Sequence, residues 1–255
     1  MSKEAYDVVL AARSQNKIST KKLISMLFNN FIELHGDRLG YDDAAIIGGL
    51  AKLNDITVMV IGIKKGSNSE ENIDCHFGMV TPAGYHKAMR LLKQAEKFKQ
   101  PVITIVNTPG AYPGEQAEYD GQGYAIAQCI EHGMALKVPY LSIITGEGGS
   151  GGALALATGN QVWMSEDSVY SILSPEGYAA ILYKDAKKAP QAAEKMGLTP
   201  LELLNHKIVD QIIPEIKDDS TAKKVQKLMY QEITKLNQLS ENQIIDQRYD
   251  RFNQF

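Results

Sequence analysis

Residues 145–152 read TGEGGSGG, five glycines in eight positions, between the apolar run YLSIIT (140–145) and ALALATG. Glycine weakens the interior of helices and strands, so a run like this after an apolar strand implies that bare backbone is needed there. Ser150 is a good N-cap, which would make Gly151 and Gly152 the first residues of a helix over 150–158. Their N–H groups would then lack intrahelical acceptors and point outward with a favourable dipole. With no Cβ to hold a ligand oxygen away, two such amides could stabilise an oxyanion. Gly148 and Gly149 complete the loop. Two more segments occupy the same kind of place. FGMVTP (77–82), with Phe77 and Gly78, precedes a helical pattern, and NTPGAYPG (107–114), with Gly110 and Ala111, joins a strand to a helix. Ligands of open α/β sheets sit at the carboxyl ends of strands. One such loop would read as a packing turn; three at one end of a sheet point to a binding site.

Sharper motifs compete with this reading. Gly148-x-Ser150-x-Gly152 matches a nucleophile elbow, so a stand-alone serine hydrolase using Ser150 is an alternative. It needs a base, and none of His35, His76, His86, His132 and His206 stands in a recognisable triad context. NTPG is like a GTPase switch, but the chain has no GxxxxGK[ST]. Gly121-x-Gly123-x-x-Ile126 lacks the third glycine of a dinucleotide loop. Glu115, Glu118, Asp120 and Glu147 could supply a general base, although capping and solvated carboxylates are commoner. Lys64, Lys65 and Arg90 could meet phosphates of a CoA-type ligand, with solvated charge as the default.

These loops need elements to hold them. Strands are expected at 57–63, 101–107, 140–145, 161–164 and 169–173. Helices are expected over 4–34, 81–98, 116–135 and 150–158, the second opening on Thr81 and Pro82. Apolar strands separated by amphipathic helices predict an α/β fold with a mainly parallel sheet. After residue 216 the text turns polar, yet Val225, Leu228, Met229, Ile233, Leu236 and Leu239 keep helical spacing. That predicts a C-terminal helix packed on the body or on a partner, the body being the commoner case. The expected organisation is one domain over 1–255, with a helical lead-in (1–34), a core (35–216) and a helical tail (217–255).

The 255 residues are 44% hydrophobic, enough for a substantial core, and the net charge of −3 suggests neither nucleic acid nor an anionic membrane as partner. The two cysteines, Cys75 and Cys129, are isolated, which fits a reducing compartment. The N-terminus MSKEAYDVVLAARSQ lacks a signal-peptide core, and no apolar run approaches the roughly 20 residues that span a membrane. A cytoplasmic protein is expected.

HGDRLGYDDAAIIGGLA (35–51), FGMVTPAGYHKAMRLLKQAEKF (77–98), TPGAYPGEQAE (108–118), GEGGSGGALA (146–155) and YSILSPEGYAAILYKDAKKAPQAA (170–193) together resemble the alpha subunits of bacterial acetyl-CoA carboxylase carboxyltransferases. The resemblance implies a crotonase-like, Clp-protease-like spiral of ββα units. It implies an α2β2 enzyme that moves the carboxyl group of carboxybiotin to acetyl-CoA, giving malonyl-CoA for fatty-acid synthesis. Biotin would come on a biotin carboxyl carrier protein charged by biotin carboxylase, and a beta subunit would hold the CoA thioester and the metal, leaving none here. The carboxybiotin oxyanion hole would fall on the Gly151 and Gly152 amides. Gly110, Ala111, Phe77, Gly78, Gly148, Gly149 and Ser150 would line the substrate site. Asn107 stands where the family pattern has Asp. A non-catalytic scaffold subunit is the remaining alternative.

Overall fold

A computed structural model describes residues 3–255; the first two residues of the expected lead-in lie outside the described residues. The chain begins with α1 (Ala5–Ala12), α2 (Thr20–Leu27), β1 (Asn29–Glu33), β2 (Ile46–Leu53), β3 (Ile56–Ile63), α3 (Ser69–Asp74) and α4 (Pro82–Lys97). It continues through β4 (Val102–Thr108), α5 (Glu115–Tyr119), α6 (Gln122–Ala135), β5 (Tyr140–Gly149), α7 (Ser150–Leu154), β6 (Gln161–Ser165) and β7 (Val169–Ser171). It ends with α8 (Pro175–Tyr183), α9 (Ala189–Met196), α10 (Pro200–Asn205), β8 (Gln211–Ile213), α11 (Asp219–Leu236) and α12 (Glu241–Phe252).

The strands form one sheet in the order β1-β2-β3-β4-β5-β6-β8, with β7 paired to β5. β1, β2 and β3 are antiparallel, and every pairing from β3 onward is parallel. Both faces are buried, which is why the central strands read as unbroken apolar runs. In β3, Met59, Ile61 and Ile63 pack with α4 and α6 on one face, while Val58 and Val60 pack with α2 and α11 on the other. A smaller cluster joins Val8, Val9 and Ala12 of α1 to Val169, Ala193 and Leu198. It places α1 beside the carboxyl end of β5.

Several elements differ from expectation. The lead-in is not all helix: residues 29–33 form edge strand β1, because β2 offers a pairing edge that overrides local preference. β2 itself was hidden by Gly48 and Gly49 inside it, a pair that depresses strand propensity. The helix expected over 116–135 breaks into α5 and α6 at Gly121, whose φ of +85° stops the first turn. The helix expected over 150–158 keeps only its first five residues, 150–154. The tail is two helices, and Val225, Met229 and Ile233 of α11 enter the core under the sheet.

α12 is held by a fully buried arginine. The Arg248 guanidinium donates to the carbonyls of Met134 (2.9 Å), Leu136 (2.7 Å) and Val138 (3.3 Å), and to Asn160 Oδ1 (2.6 Å). Burial pushes its pKa down to about 10, but the negative end of α6 receives its charge. Arg248→Met takes the donor from the three carbonyls, at about 1–3 kcal/mol for each unsatisfied group, while Asn160 Oδ1 keeps the Tyr140 N–H. Chemical denaturation should show a loss of about 3 kcal/mol or more, and a wild-type midpoint would show that this contact does not hold the tail.

Candidate active site

The glycine run is strand for most of its length. β5 does not stop at Thr145; it continues to Gly149 because Glu147, Gly148 and Gly149 pair with Val169, Tyr170 and Ser171 of β7. The register against β4 passes from Val106↔Ile144 to Thr108↔Gly148, so β5 carries two extra residues at this point. No residue is left between strand and helix to serve as a side-chain cap. Gly149 takes the N-cap position, and Ser150, expected to be the cap, is the first helical residue and makes no capping bond. The chain turns at Ser150 itself, with φ of +50°, a left-handed conformation that costs a non-glycine residue about 1–2 kcal/mol.

Beside it lies the Thr108–Ala111 turn. The Thr108 hydroxyl donates to Gly110 O (2.7 Å) and accepts from the Gly110 N–H (3.0 Å). A Cβ on Gly152 would stand 2.5 Å from Ala111 N and 2.7 Å from Gly110 C, and one on Gly149 would collide with Pro109 O. Two backbones therefore meet without side chains between them. Tyr85 donates its hydroxyl to Gly152 O (3.2 Å), and burial raises its pKa so that it stays a donor. Among the described residues, the amides of Ala111, Gly151 and Gly152 donate to no protein acceptor.

Gly110, Ala111, Gly148, Gly149, Ser150, Gly151 and Gly152 all line one cleft of about 490 Å³, whose apolar walls include Ile126, Val169, Ile172 and Leu198. Phe77 lies elsewhere, in an adjoining cavity of about 580 Å³ with Asn107 and Pro109. Gly78 packs against Lys65 and Asn107, and its N–H donates to Cys75 O (2.8 Å). The structure therefore does not bring Phe77 and Gly78 to the glycine cleft. No histidine lines the cleft at Ser150; His76 and His86 line a different cavity.

The sequence pointed to Glu147 and Lys65 singly but not to Arg13 or to the ion pairs that join the three at the cleft mouth. Glu147 accepts from Arg13 Nε (2.8 Å) and Lys65 Nζ (2.7 Å), while its own N–H donates to Asn107 Oδ1 (3.1 Å). The other two Arg13 nitrogens bond Glu176 at 2.7 and 3.1 Å. Burial pushes the Glu147 carboxyl up, but Lys65 and Arg13 together hold it below its ordinary value. It is an ionised, doubly paired group rather than a general base. Lys65 is likewise spent on Glu147, and Arg90 on the carbonyls of Gly36 and His35, not on a phosphate. The acid in TGE was a visible signal. Arg13 gave none, since it lies 134 residues from Glu147. Among the described residues, no group of three or more His, Cys, Asp or Glu side chains is placed to hold a metal, and no helix is long and apolar enough to cross a membrane.

Residues 2–255 match the family described as acetyl co-enzyme A carboxylase carboxyltransferase-like. The chain belongs to this family. It is 48% identical over 250 residues to the acetyl-coenzyme A carboxylase carboxyl transferase subunit alpha of Streptococcus thermophilus, covering 97% of this chain and 98% of that one. The protein of the same name from Streptococcus equi subsp. zooepidemicus is also 48% identical over the same shares. Among solved structures, transcarboxylase 12S superposes with a TM-score of 0.73 at 17% identity, over 91% of this chain and 44% of that chain. A Pseudomonas malonate decarboxylase hetero-tetramer gives 0.69 at 14% identity, over 81% and 85%. The fold is that of the crotonase-like carboxyltransferases, as the resemblance implied.

The two helical glycines should respond differently to a methyl group. A Cβ on Gly151 meets nothing nearer than Ile126 Cγ2 at 3.7 Å, so thermal unfolding of Gly151→Ala should match wild type within about 1 kcal/mol. Gly152→Ala drives a carbon into the 110–111 peptide and should lose about 2 kcal/mol or more. The ion pairs of Glu147 predict a pH effect. Its folded pKa is depressed, so its stabilisation is full above the ordinary value of 4.5 and is lost as pH falls below it. Glu147→Gln should therefore flatten the fall of melting temperature in acid relative to wild type. Parallel curves below pH 4.5 would count against the pairing.

Proposed function

We propose that the chain is the alpha subunit of an acetyl-CoA carboxylase carboxyltransferase, working with a beta subunit to move the carboxyl group of carboxybiotin to acetyl-CoA. Malonyl-CoA is the product. The reading rests above all on one observation: three amides without protein acceptors, on Ala111, Gly151 and Gly152, line a single cleft. The names of relatives that match nearly the whole chain support it.

A biotin group fits the cleft in kind: the amides would receive its polar ureido ring, and Ile126, Val169 and Ile172 would receive its apolar portion. When bound, carboxybiotin supplies the carboxyl group and a ureido oxygen that gains negative charge as that group leaves. The amides of Gly151 and Gly152 would stabilise that charge, with Ala111 as a further donor. Being fixed by the turn and the helix, they need no reorganisation, and one such donor contributes roughly 3 kcal/mol to a transition state. The Glu147 charge close by is already neutralised by Lys65 and Arg13, so it does not oppose the developing oxyanion. The chain supplies position and dipoles, and no side-chain base from it is required. The whole chain acts as one carboxyltransferase domain with its lead-in and tail. Its partners are the beta subunit, which holds the CoA thioester, and a biotin carboxyl carrier protein charged by biotin carboxylase. The working compartment is the cytoplasm.

The serine hydrolase reading lacks a base at Ser150. With the beta subunit added, malonyl-CoA formation should fall about 100-fold or more in Gly151→Val and stay within about threefold of wild type in Ser150→Ala. Full activity in a folded Gly151→Val chain would remove the oxyanion hole from the mechanism. Ester hydrolysis by the chain alone, lost in Ser150→Ala, would restore the hydrolase.

A further inference from the structure

The cleft has a floor and a roof from different parts of the chain. The floor is the end of β5 and the start of α7; the roof is the segment Ile172–Pro175 leading into α8. Two side-chain bonds stay within the roof, from Ser171 Oγ to Leu173 O and from Gly177 N to Ser174 Oγ. Ile172 stands 87% exposed at the mouth. Besides the β5–β7 pairing, among the described residues one side chain hydrogen-bonds to both floor and roof, and it comes from neither. Arg13 follows α1, whose Val8, Val9 and Ala12 are buried against Val169, Ala193 and Leu198, so its base is fixed. Its Nε holds Glu147 on the floor, and its two terminal nitrogens hold Glu176, the second residue of α8.

We propose that Arg13 is a positioning residue that sets the opening of the glycine cleft by clamping the 172–176 roof to the β5 floor. The two halves of the clamp are unequal. The Glu147 side chain is 12% exposed and also held by Lys65, whereas the Glu176 side chain is 38% exposed and, among the described residues, has no other cationic partner. Bidentate pairing gives the Glu176 half its geometry, but solvent keeps it weak enough to release. The roof is therefore the part that yields, while Glu147 stays on the floor. A lysine at position 13 could reach one carboxylate but lacks the planar fork that spans both. The effect on catalysis rests on the carboxyltransferase reading; the clamp itself does not.

The test uses the whole chain carrying Arg13→Met, Arg13→Lys, Glu176→Ala, and the Met and Ala changes together. Hydrogen exchange over 171–183 is read on the alpha chain alone. The KM for free biotin and kcat are read in the reverse direction, with malonyl-CoA as carboxyl donor and acetyl-CoA as product, on the enzyme reconstituted with its beta subunit. Arg13→Met and Glu176→Ala should each speed exchange in that segment and raise KM roughly tenfold, and Glu176→Ala, which leaves Glu147 paired, should change kcat less than about threefold. The double variant should be no worse than either single one, and Arg13→Lys should recover part of the KM. Unchanged exchange over 171–183, or single effects that multiply in the double variant, would overturn the clamp. Faster exchange in the variants of a chain whose wild type transfers no carboxyl group would leave the clamp standing and sink the carboxyltransferase reading instead.

Discussion

Two stretches of backbone touch in the lining of the glycine cleft. The peptide planes at Pro109–Ala111 lie against Gly149 and Gly152 so closely that a single methyl group would occupy the space of a neighbouring main-chain atom. The other features of the cleft follow from that contact. It fixes the start of α7 relative to the turn after β4, which brings three unused amides into one cleft. It requires glycine at positions 149 and 152, where a Cβ would meet the facing main chain. It also explains why the most conspicuous side chain in the run, Ser150, has no partner: the chain bends there only to carry β5 directly into α7.

Electrostatics around the contact follow the same logic. The proposed oxyanion site would be poorly served by a free carboxylate, and Glu147 is two residues from Gly149. The structure answers with Lys65 from the end of β3, Arg13 from beyond α1, and a neutral amide at position 107 that accepts the Glu147 N–H. The same arginine reaches Glu176, so charge neutralisation and the spacing of the cleft walls share one side chain. The tail makes a comparable use of a cation. Arg248 meets no carboxylate among the described residues and is offset by carbonyls at the end of α6, which ties α12 to the rear of the helix that lends Ile126 to the cleft.

Much of this was legible from local pattern. Period-two and period-3.6 spacing are properties of a few consecutive residues, so β3, β4, β5, β6 and α4 were readable from one-dimensional text. Of the three glycine-bearing loops expected at one end of the sheet, 107–114 and 145–152 line one cleft, whereas Phe77 and Gly78 do not reach it. β1 and β2 were not legible: Asn29–Glu33 is a strand only because β2 pairs with it, and Gly48 and Gly49 conceal β2. Gly121 looked like a helix interior and was a left-handed stop.

The sequence by itself determined the α/β alternation, the family resemblance and the choice of glycine at Gly151 and Gly152, since these depend on residue type and short spacing. Tertiary structure alone decided which amides are free. Gly78 spends its N–H on Cys75 and Gly110 on Thr108, leaving Ala111 as the donor that faces α7. It also decided that Ser150 is a turn rather than a cap, because β7 extends β5 by pairing at Glu147–Gly149. And it brought Arg13 to Glu147 and Glu176 across 134 and 163 residues. Hydrogen bonds and ion pairs form between whatever groups the packed sheet leaves within reach, and that reach is set in space, not along the chain.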